Sequence, residues 1–152
     1  MVPTRPSPPA IAPCPEEALF VELVRTADRL SRGPAQLLRE HDLSPAPYNA
    51  LRILRGAPEG LVCGEIAARM ITREPDITRL LDRLEKRSLI RRCRQEQDRR
   101  RVLVRITASG LDLLSCLDPP IQQLHRRQLS HFTRKKLQGL TDLLAAARLQ
   151  AE

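Results

Sequence analysis

Residues 66–110 read IAARMITREPDITRLLDRLEKRSLIRRCRQEQDRRRVLVRITASG, and this stretch decides the architecture. Ile66, Ala67 and Met70 share one face of a short helix over residues 64–70, and residues 71–74 break it. A second helix then runs to Arg87, with Ile77, Leu80, Leu81 and Leu84 at the i, i+3, i+4, i+7 spacing of a core-facing stripe. At 100° per residue, Pro75, Arg79, Asp82 and Lys86 fall outermost, with Thr78 and Arg83 on the flanks. Asp82 and Lys86 are spaced to form an i,i+4 pair on that face. Two short helices joined by a brief turn make a helix-turn-helix pattern. Ser88 stands where a glycine would commonly end the helix. A strand over residues 89–94, a turn over 95–100 and a half-buried return strand follow, in which Val102, Val104 and Ile106 alternate with Leu103 and Arg105.

Charge is concentrated in the same place. From Arg69 to Arg105 there are 13 basic and 6 acidic residues, a net +7 of the chain's total of +8. A basic block confined to a quarter of the chain is the electrostatic footprint of a polyanion partner. Aromatic residues are few, Phe20, Tyr48 and Phe132, which disfavours single-stranded nucleic acid or RNA, where bases stack on aromatic side chains. Double-stranded DNA fits better.

Working outward, 152 residues suit one domain that folds without metal or disulfide. The Leu- and Ala-rich apolar set favours a mainly α fold with a small β wing. Residues 1–15 carry six prolines and read as a disordered or extended arm. Leu19, Phe20, Leu23, Val24, Ala27 and Leu30 define a first helix from Glu16 to about Ser31, which Gly33-Pro34 is expected to break before a short helix over 35–41. Ser44 and Pro45 are an N-cap and first-turn proline for a third helix ending near Arg55. Residues 56–60 are loop. Beyond the hairpin, Thr107 is the cap of a helix with stripe Leu111, Leu114, Leu117, Ile121 and Leu124, which Pro119-Pro120 should kink. Thr133 is the cap of a last helix bearing Leu137, Leu140, Leu143, Leu144 and Leu149. The terminal helices carry more apolar surface than one small domain covers, which points to a dimer. No apolar run is long enough to span a membrane, and no secretory signal is legible, so a cytoplasmic protein is expected.

In order and spacing, Glu65-Ile66-Ala67, then Ile77-Thr78-Arg79-Leu80-Leu81-Asp82-Arg83-Leu84-Glu85, then Asp98-Arg99-Arg100 before Val102-Leu103-Val104-Arg105-Ile106-Thr107 and Gly110, resemble the MarR (multiple antibiotic resistance regulator) family of winged-helix transcription factors. The resemblance runs from about Glu16 onward and is strongest over 61–110. It implies a winged helix-turn-helix lobe over residues 44–107, between N-terminal dimerisation helices over 16–43 and C-terminal ones over 108–152. It further implies a homodimer on a pseudo-palindromic operator, with half-sites about one helical turn apart, and release by a small aromatic effector lodged between the dimer helices and the lobe. Ser88, Pro75 and the proline-rich arm depart from the family pattern.

The residues expected to meet DNA follow. On and before the recognition helix they are Arg73, Asp76, Thr78, Arg79 and Arg83. Arg79 suits guanine O6 and N7, Thr78 a thymine methyl or a phosphate, and Arg73 a phosphate at the helix entrance. In the wing they are Asp98, Arg99, Arg100 and Arg101; a carboxylate beside three guanidinium groups can hold one of them in a fixed pose. The resemblance assigns Arg100 to the groove tip and Asp98 to its orientation, leaving Arg99 and Arg101 for phosphates.

No cofactor is expected. Cys14, Cys63, Cys93 and Cys116 are scattered, without metal-ligand spacing; a thiol switch is an alternative, and Cys63, Cys93 and Cys116 read as small core residues. His41, His125 and His131 are isolated, and no H-E-x-x-H, G-x-S-x-G or phosphate-cradling glycine loop is present, so an enzyme is not expected. Two further alternatives are an architectural winged-helix DNA-binding protein without ligand control and a helical protein-interaction module.

Overall fold

The computed structural model describes residues 14–94 and 102–149. They form α1 (Pro15–Arg39), α2 (Pro45–Arg55), α3 (Cys63–Arg69), α4 (Ile77–Lys86), β1 (Ile90–Arg94), β2 (Val102–Ile106), α5 (Ala108–Gln128) and α6 (Arg134–Leu149). The chain divides into two units, the first ending at Arg32 and the second beginning at Gly33. The expected arm falls almost wholly outside the described residues, as does the wing tip with Asp98, Arg99, Arg100 and Arg101.

In the first unit, α1 begins with Glu16 and Glu17 at its positive N-terminal end. Its flank carries the Arg25–Glu22 and Arg32–Asp28 pairs, while Leu19, Phe20 and Val24 remain more than half exposed.

The second unit holds the core. Leu38, Ala50, Leu51, Leu54, Ile66, Leu80, Leu81, Leu84, Leu114 and Leu117 are almost entirely buried, joined by Ile90 and Val104 from the sheet. The expected break at Gly33-Pro34 does not occur, because α1 continues through Pro34 to Arg39. Proline removes one backbone donor, yet the packing on either side favours continuation. A Cβ at Gly33 would lie 2.9 Å from Leu124 Cδ2, so the bare glycine lets this turn approach α5 closely. Four residues beyond the proline, Leu38 is sunk in the core. α5 likewise runs unbroken through Pro119 and Pro120.

The expected helix starts at Pro45 and Thr107 hold, and further local contacts fix the other helix ends. Pro45 opens α2, although the Ser44 side chain makes no capping bond. Glu65 reaches back from the first turn of α3 to accept the Val62 N–H at 3.0 Å. Thr107 Oγ1 accepts the Gly110 N–H at 3.1 Å and donates to the Ser88 carbonyl at 2.7 Å, so one hydroxyl caps α5 and ties it to the end of α4. Gly110 has no room for a side chain, since a Cβ there would meet the Leu89 carbonyl oxygen at 2.3 Å.

β1 and β2 are antiparallel, paired from Ile90↔Ile106 to Arg94↔Val102. The expected alternation on the return strand does not hold: Leu103 and Val104 are both buried while Val102 is exposed. On its other side β2 is flanked by Leu61, whose N–H donates to the Val104 carbonyl at 3.0 Å and whose carbonyl accepts the Val104 N–H at 2.8 Å. α2 and α3 also pack against β2, so the strand is not split cleanly into one buried and one wet face. Leu111, counted in the α5 stripe, is 40% exposed, and Cys116, read as a core residue, is exposed; Cys63 and Cys93 are half-buried. No helix among the described residues is long and apolar enough to cross a membrane.

Candidate nucleic-acid interface

The chemistry of the candidate interface begins with how α4 is seated. Leu80, Leu81 and Leu84 are buried and Ile77 is half-buried, so the inner stripe is fully engaged. The helix starts two residues later than the sequence suggests, at Ile77, because Asp76 is its N-cap: Oδ1 accepts the Arg79 N–H at 2.9 Å. At the other end Ser88 adopts φ 58°, and the Leu89 N–H donates to the Leu84 carbonyl at 3.0 Å. This closes the helix as a glycine would, with a serine bearing the left-handed conformation.

Outward from that seat, Thr78, Arg79, Arg83 and Lys86 are exposed, as is Arg73 in the turn before the helix. The guanidinium groups of Arg73, Arg79 and Arg83 have no carboxylate partner among the described residues. That turn is itself held, since Asn49 Oδ1 on α2 accepts the Ile71 N–H at 2.8 Å. Thr78 Oγ1 lies 3.9 Å from Cys63 Sγ on α3, joining the first turns of the two helices of the motif.

Asp82 is placed differently from the sequence expectation. Instead of pairing with Lys86 it accepts from Arg92 Nη2 on β1 at 2.7 Å. Glu85 accepts both the Arg92 backbone N–H at 3.0 Å and Nη1 at 2.5 Å. The backbone bond also satisfies a donor on the outer edge of β1 that β2 cannot reach. Burial works against the Arg92 charge, but the bonds from Asp82 and Glu85 outweigh it and hold the guanidinium above its ordinary pKa. Arg87, the C-cap of α4, donates from Nη1 to the Asp42 carbonyl at 2.5 Å and from Nη2 to the His41 carbonyl at 3.2 Å. Arg105 lies 3.6 Å from Glu59. Part of the basic block is therefore occupied inside the fold and not free for a polyanion. Behind α4, Arg55 on α2 pairs with Asp118 on α5 at 2.6 Å, and that bond raises its pKa.

The Asp82–Glu85–Arg92 arrangement and the Arg87 contacts were not legible in the sequence. They join residues 7, 10 and about 45 apart across a helix end and a turn, and no periodicity encodes them.

No group of three or more His, Cys, Asp or Glu among the described residues could hold a metal ion.

A family model described as the MarR family matches residues 41–101. The crystal structure of a MarR transcription factor from Planctomyces limnophilus is 38% identical and superimposes with a TM-score of 0.66, covering 90% of this chain and 98% of that one. This chain belongs to the MarR family, with the winged helix-turn-helix fold. The homoprotocatechuate degradative operon repressor of Escherichia coli is 25% identical over 128 residues, which span 84% of this chain and 86% of the relative. The PcaV transcriptional regulator from Streptomyces coelicolor, solved in complex with its natural ligand, is 25% identical with a TM-score of 0.70, over 84% of this chain and 92% of that one. The chain is thus a relative of transcriptional regulators, and none of these three is an enzyme by name.

Proposed function

We propose that this protein is a cytoplasmic transcriptional repressor that binds a pseudo-palindromic duplex operator as a homodimer. The observation that carries the reading is α4 itself: its inner stripe is locked in the core while Thr78, Arg79 and Arg83 are exposed, and the guanidinium groups of Arg79 and Arg83 have no carboxylate partner among the described residues. A helix so anchored by aliphatic burial presents its polar side chains to a major groove without having to reorganise. Arg79 reads a guanine edge, Thr78 a thymine methyl or phosphate, Arg73 a phosphate at the helix entrance, and Arg83 the flanking backbone. Asp76 contributes by fixing the first turn that carries them. In the wing, Arg100 enters the minor groove, oriented by Asp98, and Arg99 and Arg101 meet phosphates.

The terminal helices supply the dimer. Residues 16–43 and 108–152 flank the DNA-binding lobe of 44–107. α6 has no buried residue, and Leu140, Leu143, Leu144 and Leu149 are 40–80% exposed, while α1 exposes Leu19, Phe20 and Val24. Apolar surface of this extent on two terminal helices is what a second copy of the chain would cover. A small aromatic effector releases the DNA by favouring a lobe spacing that does not match two successive grooves. The PcaV structure with its natural ligand and the relative named for the homoprotocatechuate operon support this part.

The test is selection of duplexes from a random pool followed by titration across salt. If the dimer neutralises six to ten phosphates, log affinity falls with log salt at about 0.9 per contact. Arg100→Ala weakens the selected duplex by about 1–3 kcal/mol. A chain that selects no duplex, or a flat salt dependence, refutes the reading. Contact between Cys63 and Thr78 favours one variation, in which thiol oxidation disturbs the first turn of α4. Peroxide treatment that leaves duplex affinity intact refutes that variation.

A further inference from the structure

Three of the basic side chains around α4 look alike in sequence and differ in placement. Arg79 points outward, Arg92 reaches from β1 onto α4, and Arg87 reaches from the end of α4 onto the turn after α1. What these last two do can be argued from the geometry of a helix lying in a groove.

The buried leucines of α4 fix its depth, but aliphatic contacts are non-directional and tolerate small rotations about the helix axis. At the outer radius of a helix, about 5–6 Å, a rotation of about 20° displaces a side-chain atom by about 2 Å. A displacement of that size removes a hydrogen bond to a base edge, whereas a phosphate contact survives through a flexible stem. Directional contacts are needed to suppress the rotation. Arg92 supplies them on one flank, with Nη2 on Asp82 at 2.7 Å, Nη1 on Glu85 at 2.5 Å, and its backbone N–H on the other Glu85 oxygen at 3.0 Å. Arg87 supplies them at the C-terminal end through the consecutive carbonyls of His41 and Asp42, the latter in a left-handed turn at φ 52°.

We infer that Arg92, with Asp82 and Glu85, and Arg87 are positioning residues that set the rotation of the recognition helix and thereby its sequence discrimination, and that neither arginine grips DNA. The inference rests on the DNA-binding reading above. Counting every cation of the basic block as a phosphate contact overstates the electrostatic part of binding and hides a part that acts only on specificity. It also assigns two acidic residues on a DNA-facing helix a reason to be there, since on charge alone they repel the duplex.

That repulsion makes the sign of the test decisive. The full-length chain and the variants Asp82→Ala/Glu85→Ala and Arg92→Gln are titrated with a duplex selected by the unaltered chain and with a mixed-sequence duplex, over a range of salt. Removing two carboxylates from α4 should tighten both complexes if the pair acts through charge. The positioning role gives the opposite result: selected-duplex affinity falls about tenfold, mixed-sequence affinity holds or rises, and the ratio between them collapses. Arg92→Gln gives the same collapse with the salt slope unchanged. If the double variant tightens both duplexes, or leaves the ratio intact, the inference fails. It fails equally if Arg92→Gln weakens both duplexes alike and lowers the slope by about 0.9 per copy, the mark of a lost phosphate contact. Should the double variant melt below the working temperature, Arg92→Gln decides alone. An unaltered chain that selects no duplex overturns the DNA-binding reading instead, a distinguishable result.

Discussion

α4 and α6 are both amphipathic helices rich in leucine and basic residues, yet they end in opposite states. Leu80, Leu81 and Leu84 of α4 are buried to within 2% of their surface, whereas α6 has no buried residue and leaves Leu143 70% exposed. The composition is similar; the difference is what lies opposite. α4 is enclosed by the helices and sheet of its own lobe, so its apolar face is completed within one chain and its polar face is left for a ligand. α6 exposes an apolar face that needs another surface. Under the proposed function the exposed side of each helix has a distinct role: cations on the exterior of α4 for a polyanion, and leucines on the exterior of α6 for a second copy of the chain.

The widest break in that contrast comes from making α6 polar. Leu140→Glu with Leu143→Glu should convert a dimer to monomer without unfolding the second unit. Four leucines per dimer at roughly 25 cal/mol per Å² of apolar area put the effect on the order of 5 kcal/mol of association free energy. Sedimentation over a concentration series checks it, and unchanged self-association would remove α6 from the interface. The corresponding change in α4 acts on folding instead. Leu81→Ala should cost about 2–5 kcal/mol of stability by chemical denaturation, since the residue is wholly enclosed. If its loss matched that of Leu143→Ala in the monomer, the distinction between the two helices would fail.

On the polar side the effects are smaller. Arg79→Ala should weaken the selected duplex by about 1–3 kcal/mol with little change in thermal stability, because its guanidinium supports nothing within the described residues. Equal losses on selected and mixed-sequence duplexes would make it a phosphate contact and not a reader. Smallest is the cap: Asp76→Ala should lower stability by about 1 kcal/mol through the lost bond to the Arg79 N–H. A loss in DNA affinity beyond that effect would show that Asp76 acts on the duplex directly.

Much of the lobe was legible because its signals are local. The i, i+3, i+4, i+7 leucines, the Ser44-Pro45 helix start, the Thr107 cap and the residue pattern around Ser88 each report on neighbours within one or two turns of chain. The failures share the opposite property. Pro34 looked like a breaker because propensity sees a missing donor, but not Leu124 closing on Gly33 or Leu38 entering the core. Alternation puts Leu103 on the wet face of the return strand, whereas the structure buries it, because alternation cannot register the elements that pack around β2. Spacing suits Asp82 to Lys86, while its partner is on a strand ten residues on.

By itself, then, the sequence determined the helix-turn-helix and hairpin order of the lobe, the stripe by which α4 is buried, the Thr107 cap and the clustering of positive charge, since hydrophobic period, capping chemistry and charge are properties of short segments. Only the tertiary structure decided which of those cations remain available and how α4 is held. Arg87 and Arg92 bind inward because packing brings the carbonyls of His41 and Asp42 and the carboxylates of Asp82 and Glu85 within hydrogen-bonding distance. Directional bonds between residues on different elements exist only once those elements have met.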